Sequence, residues 1–153
     1  MTFMRTTARA DYALRAAIEL AAAQDGPLKA EQLAQAQSIP GKFNEAILTQ
    51  LCRSGLVRSQ RGPDGGFWLA RPAKEITVAD IIRAIEGQLL GVRGKQRPEK
   101  VTYTGAAEPL QRVWIALRVN ARAVLDTVTL HDIVSGKLPD AIQQLTDSPD
   151  AWL

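Results

Sequence analysis

Residues 61–72, RGPDGGFWLARP, interrupt a chain whose preceding segments have the pattern of helices. Three glycines and two prolines surround the adjacent aromatics Phe67 and Trp68, with an arginine close to either end. No helix propagates through such a stretch, because proline lacks the N–H donor and glycine loses the most freedom on ordering. The flanks LVRSQ and FWLA have strand character, and PDGG supplies turn chemistry. The segment therefore predicts a two-stranded hairpin, slim and basic at its tip, with Phe67, Trp68 and Leu69 anchoring at least part of it to a core.

The rest of the chain builds around that hairpin. Residues 7–23 are rich in alanine and leucine, with Tyr12, Ala16 and Leu20 at helical spacing and Thr6 or Thr7 placed to cap; QDGP ends the run. Residues 28–37 predict a short helix with Leu28 and Leu33 inward. In the next segment, 38–55, Ser38 can cap, Pro40 suits a first turn and Gly55 a left-handed end. After Pro72, Thr77 and Asp80 have capping-box spacing ahead of Ile81, Ile82 and Ile85, and Gly87 stops that helix. Residues 88–108 have no periodicity. Residues 109–128 form the longest helix, and TLHDIVSGKLP adds a short capped turn.

Bulk properties narrow the class. Hydrophobic residues at 46% and charged residues at 23% suit a soluble globular chain, and the 153 residues suit one domain with an appended helical arm. No run is apolar enough to span a membrane, and the opening residues lack the apolar stretch of a signal peptide, so a cytoplasmic location is expected. The single cysteine, Cys52, excludes an internal disulfide, and the single histidine, His131, removes most histidine-based metal chemistry. The net charge of +3 is unevenly spread. Residues 1–73 hold nine Lys/Arg against six Asp/Glu, and 88–100 hold four against one. Residues 126–153 hold one lysine against five aspartates. A polyanionic partner suits the front half.

Three helices, a hairpin and a further helix describe a mainly α, winged helix-turn-helix fold, three helices plus a two-stranded β-wing, with a long C-terminal helix. In that arrangement residues 61–66 are the wing. Glycines allow close backbone approach in a minor groove, and Arg61 supplies the charge a narrow groove attracts. The plainer alternative is a hairpin turn without a ligand. The 40–54 helix can be tested by geometry. At about 100° per residue, with Phe43 at zero, Ile47, Leu51 and Leu48 fall within an arc of about 140°, the core face. Glu45, Thr49, Lys42, Arg53 and Ala46 fall between about 200° and 300°, on the opposite side. Lys42, Glu45 and Thr49 are thus candidates for base edges, and Arg53 and Arg58 for phosphates. A solvated amphipathic helix is the plain alternative here. Cys52 falls near the edge of the core face, as a small buried filler.

At this point the chain resembles a known family. DYALRAAIELA, GLVRSQRGPDGGFWLARP and EITVADIIRAIEG resemble, at consistent spacing over about residues 4–87, the Rrf-two family of bacterial winged-helix transcriptional regulators. Beyond residue 88 the resemblance is architectural: a loop, then a long helix that pairs two subunits in the family. It implies three parts: a 1–87 DNA-binding domain, an 88–108 basic sensor-type loop, and a 109–153 dimerisation helix and tail. It also implies a homodimer that sets two recognition helices in successive major grooves of a palindromic operator on double-stranded DNA. Pro40, Lys42, Phe43 and Glu45 fall on the start of the recognition helix. Arg61, Gly62, Gly65 and Gly66 fall on the wing, and Arg5 and Arg9 on positions near the DNA backbone.

The chain departs from the family in its sensing loop. Cluster-binding members carry three cysteines before the long helix; GQLLGVRGKQRPEKVTYTGAAEP carries none, so no conventional iron–sulfur cluster and no metal is expected. Asp11 resembles a ligand position of some nitric-oxide sensors, but without the cysteines it is expected to be a surface or interface acid. Arg93, Lys95, Arg97, Lys100 and Tyr103, with Trp114, could build a pocket for an anionic or aromatic effector. The simpler alternative is a flexible solvated loop, with Trp114 in the core or dimer seam. His131, with no second ligand at metal spacing, is expected on the surface or in helix packing.

Dimerisation also follows from the residues themselves. Leu110, Val113, Trp114, Leu117, Ala121, Val124, Leu125 and Val128 share one face, too apolar to leave in water. Folding back onto its own domain is the alternative. The leading function is a homodimeric, sequence-specific DNA-binding regulator, most simply a repressor, without cofactor and not an enzyme. A winged-helix module that binds another protein is the second reading, supported by the acidic tail ending in SPDAWL. An enzyme is the third: no nucleophile–base pair, phosphate-cradling loop or metal set is visible.

Overall fold

Thr7 starts the first helix, α1 (Ala8–Ala22), with its Oγ1 accepting from the Ala10 N–H at 3.1 Å. The coordinates are a computed structural model that describes residues 6–23 and 26–153. Ala10, Ala13, Ala16 and Ala17 are buried along one face of α1. Such small side chains let neighbouring elements approach closely, and α1 is the axis of the fold, packed by α2, α3, β2, α4 and α6.

The second helix, α2 (Ala30–Gln37), buries Leu33 completely. Leu28 lies outside that helix. It pairs in an isolated antiparallel bridge with Phe67, its N–H donating to the Phe67 carbonyl at 3.0 Å and its carbonyl accepting at 2.8 Å. Ser38 does not cap the following helix as its position suggested. It closes α2 in the left-handed conformation, φ 53° and ψ 46°, and Pro40 takes the N-cap of α3 (Gly41–Arg53). The short interval between the helices leaves no room for both roles. Gly55, at φ +75°, turns the chain out of α3 into β1 (Val57–Gln60).

β1 pairs antiparallel with β2 (Gly66–Leu69) in the register Val57–Leu69, Arg58–Trp68, Ser59–Phe67 and Gln60–Gly66. Phe67 and Leu69 pack on the core; Trp68, on the other face by strand alternation, does not belong to that cluster. The capping box at α4 (Val78–Glu86) forms as its spacing predicts, with Thr77 and Asp80 exchanging 3.0 Å bonds and Gly87 left-handed at φ +81°.

Residues 88–108 are a solvated loop only in part: 93–97 and 104–108 are exposed, but the segment is pinned at four points. They contain two short 3-10 turns, and Leu90, Val92, Pro98 and Val101 are buried. The four are too unevenly spaced to register as periodic; among them the Pro98–Lys100 turn packs against α5 (Leu110–Leu125). The chain then returns to its beginning. The Val78 N–H donates to the Val128 carbonyl and the Leu130 N–H to the Ile76 carbonyl, both at 2.9 Å. A second capping box, Thr129 with Asp132, starts α6 (Leu130–Ser135). Leu130, fully buried, shares one core with Ala13, Ile47, Leu51 and Ile81. The last helix, α7 (Asp140–Asp147), buries Ile142 and leaves Leu145 exposed.

Candidate nucleic-acid interface

The outward side of α3 is assembled by the inward one. Ile47, Leu48 and Leu51 are at most 1% exposed, which rotates Lys42, Glu45, Ala46, Thr49 and Arg53 into solvent. Asn44, only 3% exposed, adds a polar fastening: its Nδ2 donates to the Ala30 carbonyl at 2.9 Å and locks the head of α3 to the start of α2. Phe43 is half-buried. Its ring centroid lies 5.5 Å from that of Tyr12, the planes at 45°, and the Lys42 ammonium lies 5.2 Å from the Phe43 ring centroid. Phe43 thus holds the N-terminal turn of α3 against α1, and Pro40 beside it is exposed. The Thr49 hydroxyl donates to the Glu45 carbonyl of its own helix at 2.9 Å, so its oxygen remains outward as an acceptor.

Arg9 is half-buried and donates to Gln50 Oε1, fastening α1 to the outer flank of α3. Arg5 lies outside the described residues. Arg58 stands exposed on β1 opposite Trp68, and Arg61 is exposed at the hairpin tip. The tip closes through the Gly65 N–H donating to the Gly62 carbonyl at 3.0 Å, with Pro63 in the position its fixed φ suits. Two of its glycines are sterically required. A Cβ on Gly65 would lie 2.0 Å from the Gln60 carbonyl oxygen, and one on Gly66, at φ +149°, would lie 2.7 Å from the Leu28 oxygen.

Lys29 is a residue the sequence reading passed over. It precedes α2, and its ammonium donates to the Gly62 carbonyl at 2.8 Å, tying the helix-turn-helix directly to the wing tip. Gln50, which receives Arg9, was passed over as well. A lysine and a glutamine in polar surroundings carry no local signal; only the return of the hairpin toward residues 28–29 reveals them. Together the exposed side of α3, Arg58, Arg61 and Lys29 present a mostly cationic ridge of hydrogen-bonding groups on a rigid base.

The loop candidates do not converge on one pocket. Arg93, at φ +49°, lies 5.1 Å over the Tyr103 ring, and the Tyr103 hydroxyl accepts from Trp114 Nε1 at 2.8 Å. Lys95 lines a separate groove of about 260 Å³ with Thr7, Ile82, Leu117, Ala121 and Leu125. Arg97 belongs to a third place, and Lys100 is exposed. Of the predicted dimer face, Val113 is 54% exposed, whereas Leu110, Trp114, Leu117, Ala121, Val124 and Leu125 are half-buried. Val128 is a correction: it is 6% exposed inside its own chain, because its backbone is held against Val78.

Asp11 is an exposed acid paired with Arg15 at 3.1 Å, and His131 is exposed. Among the described residues no three His, Cys, Asp or Glu side chains gather to hold a metal. Cys52 is half-buried on α3, far in sequence from the loop, so the donor set does not fit an iron–sulfur cluster. Among the described residues no helix is long and apolar enough to cross a membrane.

Three helices with a glycine-tipped hairpin fastened to the second of them define a winged helix-turn-helix transcriptional regulator, and comparison with known proteins agrees. The chain belongs to the Rrf2 (Rrf-two) family: residues 6–136 match its model, described as an iron-dependent transcriptional regulator. It is 46% identical over 145 residues to Rv1287 of Mycobacterium tuberculosis, assigned as an HTH-type transcriptional regulator, covering 94% of this chain and 89% of that one. It is 33% identical over 134 residues to the HTH-type regulator CymR of Bacillus subtilis, covering 86% and 91%. The structure of CymR, the global cysteine regulator of B. subtilis, superposes with a TM-score of 0.71 at 32% identity, covering 88% of this chain and 98% of that one. That of T. potens IscR gives 0.70 at 28% identity, covering 87% and 88%. The chain is a DNA-binding regulator and not an enzyme.

Proposed function

We propose that the chain acts in the cytoplasm as a homodimeric repressor, setting two copies of α3 in successive major grooves of a palindromic operator while the 61–66 wings enter the flanking minor grooves. The observation that carries this reading is the pairing of an exposed polar α3 face with a wing tip that Lys29 fastens to α2. A helix that reads bases must not shift relative to its wing; Lys29 ties the wing to the start of α2, and Asn44 ties α3 to Ala30 of the same helix. Lys42, Glu45 and Thr49 meet base edges, with Glu45 suited to a cytosine amino group. Arg53, Arg58 and Arg9 neutralise phosphates, and Arg61 enters the minor groove.

Selecting bound genomic fragments with the purified protein supplies the operator, and anisotropy titration on that duplex tests the wing. Arg61→Ala is expected to weaken specific binding by about 1–3 kcal/mol while leaving the melting curve unchanged. Unaltered affinity removes the wing from recognition. Affinity for the operator should also fall steeply with added salt, through release of counterions at the phosphate contacts.

A further inference from the structure

Four arginines meet where α4 runs out. Arg83 of α4, Arg97 of the following loop, and Arg118 and Arg122 of α5 line one cleft of about 180 Å³, together with Gly87, Gln88 and Leu89. Two carboxylates accept hydrogen bonds from them. Arg83 grips Asp126 through both terminal nitrogens at 2.8 Å, and Glu99 takes a close bond from Arg118 with Arg97 4.0 Å away. Asp80, 4.0 Å from Arg83, is shared with Arg71 at 3.9 Å, so these five cations against three anions leave two positive charges in excess. Arg118 has its Nε buried without a hydrogen-bond partner. The Arg122 guanidinium donates no hydrogen bond among the described residues and only feels the Asp126 charge.

Like charges repel, so four guanidiniums crowded on one cleft call for a counter-charge. Helix geometry does not supply the attraction, because the Gly87 end of α4 is a C-terminus with partial negative charge. The guanidiniums themselves must hold the ligand. Their planar forks match two oxygens of one acid group, which favours an oxyanion over a halide. We propose that this cleft is a binding site for a small oxyanion carrying two negative charges, a phosphate or a dicarboxylate. Such a ligand complements the unopposed charge, fits the volume, and engages Arg122 and Arg118 where their donors lack partners. Seated there, it joins α4, which packs on α1 and α3, to α5. This site stands independently of how the protein meets DNA.

The test is calorimetric titration of the full-length protein with inorganic phosphate and, separately, succinate, at constant ionic strength and a mildly alkaline pH where both are dianions. Saturable binding of either probe is expected, and which one binds tells phosphate from dicarboxylate. Arg122→Gln, which removes no hydrogen bond among the described residues, should weaken binding about tenfold or more. Glu99→Gln should strengthen it several-fold by releasing Arg118, an effect that a merely structural ion pair does not produce. Absence of saturable binding, or equal binding by Arg122→Gln, overturns the proposal. So does a result in which neither probe binds but Arg122→Gln weakens duplex DNA, which would make the cleft a contact to the DNA backbone.

Discussion

Gly65 shows how far one residue position can be dictated by its neighbours. Its backbone does not need a left-handed conformation; the constraint is space, since the Gln60 carbonyl oxygen occupies the place a side chain would take. Gln60 is the last residue of β1, so the turn is folded tightly against the strand that leads into it. Gly65→Ala must displace that carbonyl or open the turn. It is expected to cost about 1–3 kcal/mol of stability, measured by urea unfolding. Gly62→Ala differs: it meets nothing, but φ +107° is unfavourable to a side chain. If Gly65→Ala unfolds at the same denaturant concentration as the parent, the close approach at the tip is not a real constraint. The same residue scale explains Asn44. Its position, about 100° from Phe43, falls inside the arc of Ile47, Leu51 and Leu48, but a lone polar residue there does not stand out from the apolar pattern. What the wheel lacked was the Ala30 carbonyl waiting there.

At the scale of elements, those whose determinants are local were legible before any coordinates. Thr77, Asp80 and Gly87 bracket α4, and Thr7 starts α1, because caps act within a turn. The Lys42–Glu45–Thr49 side of α3 followed from periodicity alone. Elements set by distant partners were not legible. Ser38 belongs to the helix behind it, Leu28 to the hairpin across from it, and Leu130 to a core some fifty residues earlier than α6 along the chain, at Ile76 and Ile81. The 88–108 segment hid its order because aperiodic burial leaves no pattern. One link between elements has a pH signature. The Asp126 carboxyl is held below its ordinary range first by the Arg83 hydrogen bond and then by Arg83 and Arg122 charges, against the opposing effect of burial. A carboxyl depressed by folding stabilises fully above its unfolded pKa of about 3.9, and that contribution is lost as pH falls through the folded value. The melting temperature of the parent should therefore exceed that of Asp126→Asn by a constant margin at neutral and weakly acidic pH. Below about pH 4 the margin should shrink. A margin that persists into strong acid would mean that the pair contributes nothing through its charge.

On the scale of the whole molecule, α5 is the element on which the proposed dimer rests. None of its residues is buried, although it is the longest helix and carries Val113, Trp114, Leu117, Val124 and Leu125 on one side. Leu117, Ala121 and Leu125 line a groove with Ala10, Ile82 and Leu90, but Val113 stands 54% exposed and the groove remains open. A helix so poorly covered by its own chain is stable when a second apolar surface meets it, and a copy of the same helix supplies one with matching pattern. Val113→Glu places a charge on that surface and leaves the protomer core untouched. It should weaken the dimer by about 100-fold or more, because the carboxylate must lose its water on association. Light scattering at micromolar concentration then reads the protomer mass of 16.7 kDa for the variant and twice that for the parent. Affinity for a palindromic operator should fall with it, since each half-site would be bound alone, while affinity for a single half-site stays the same. A parent protein that is itself monomeric would leave α5 bare in solution and remove the two-fold geometry on which the operator reading depends.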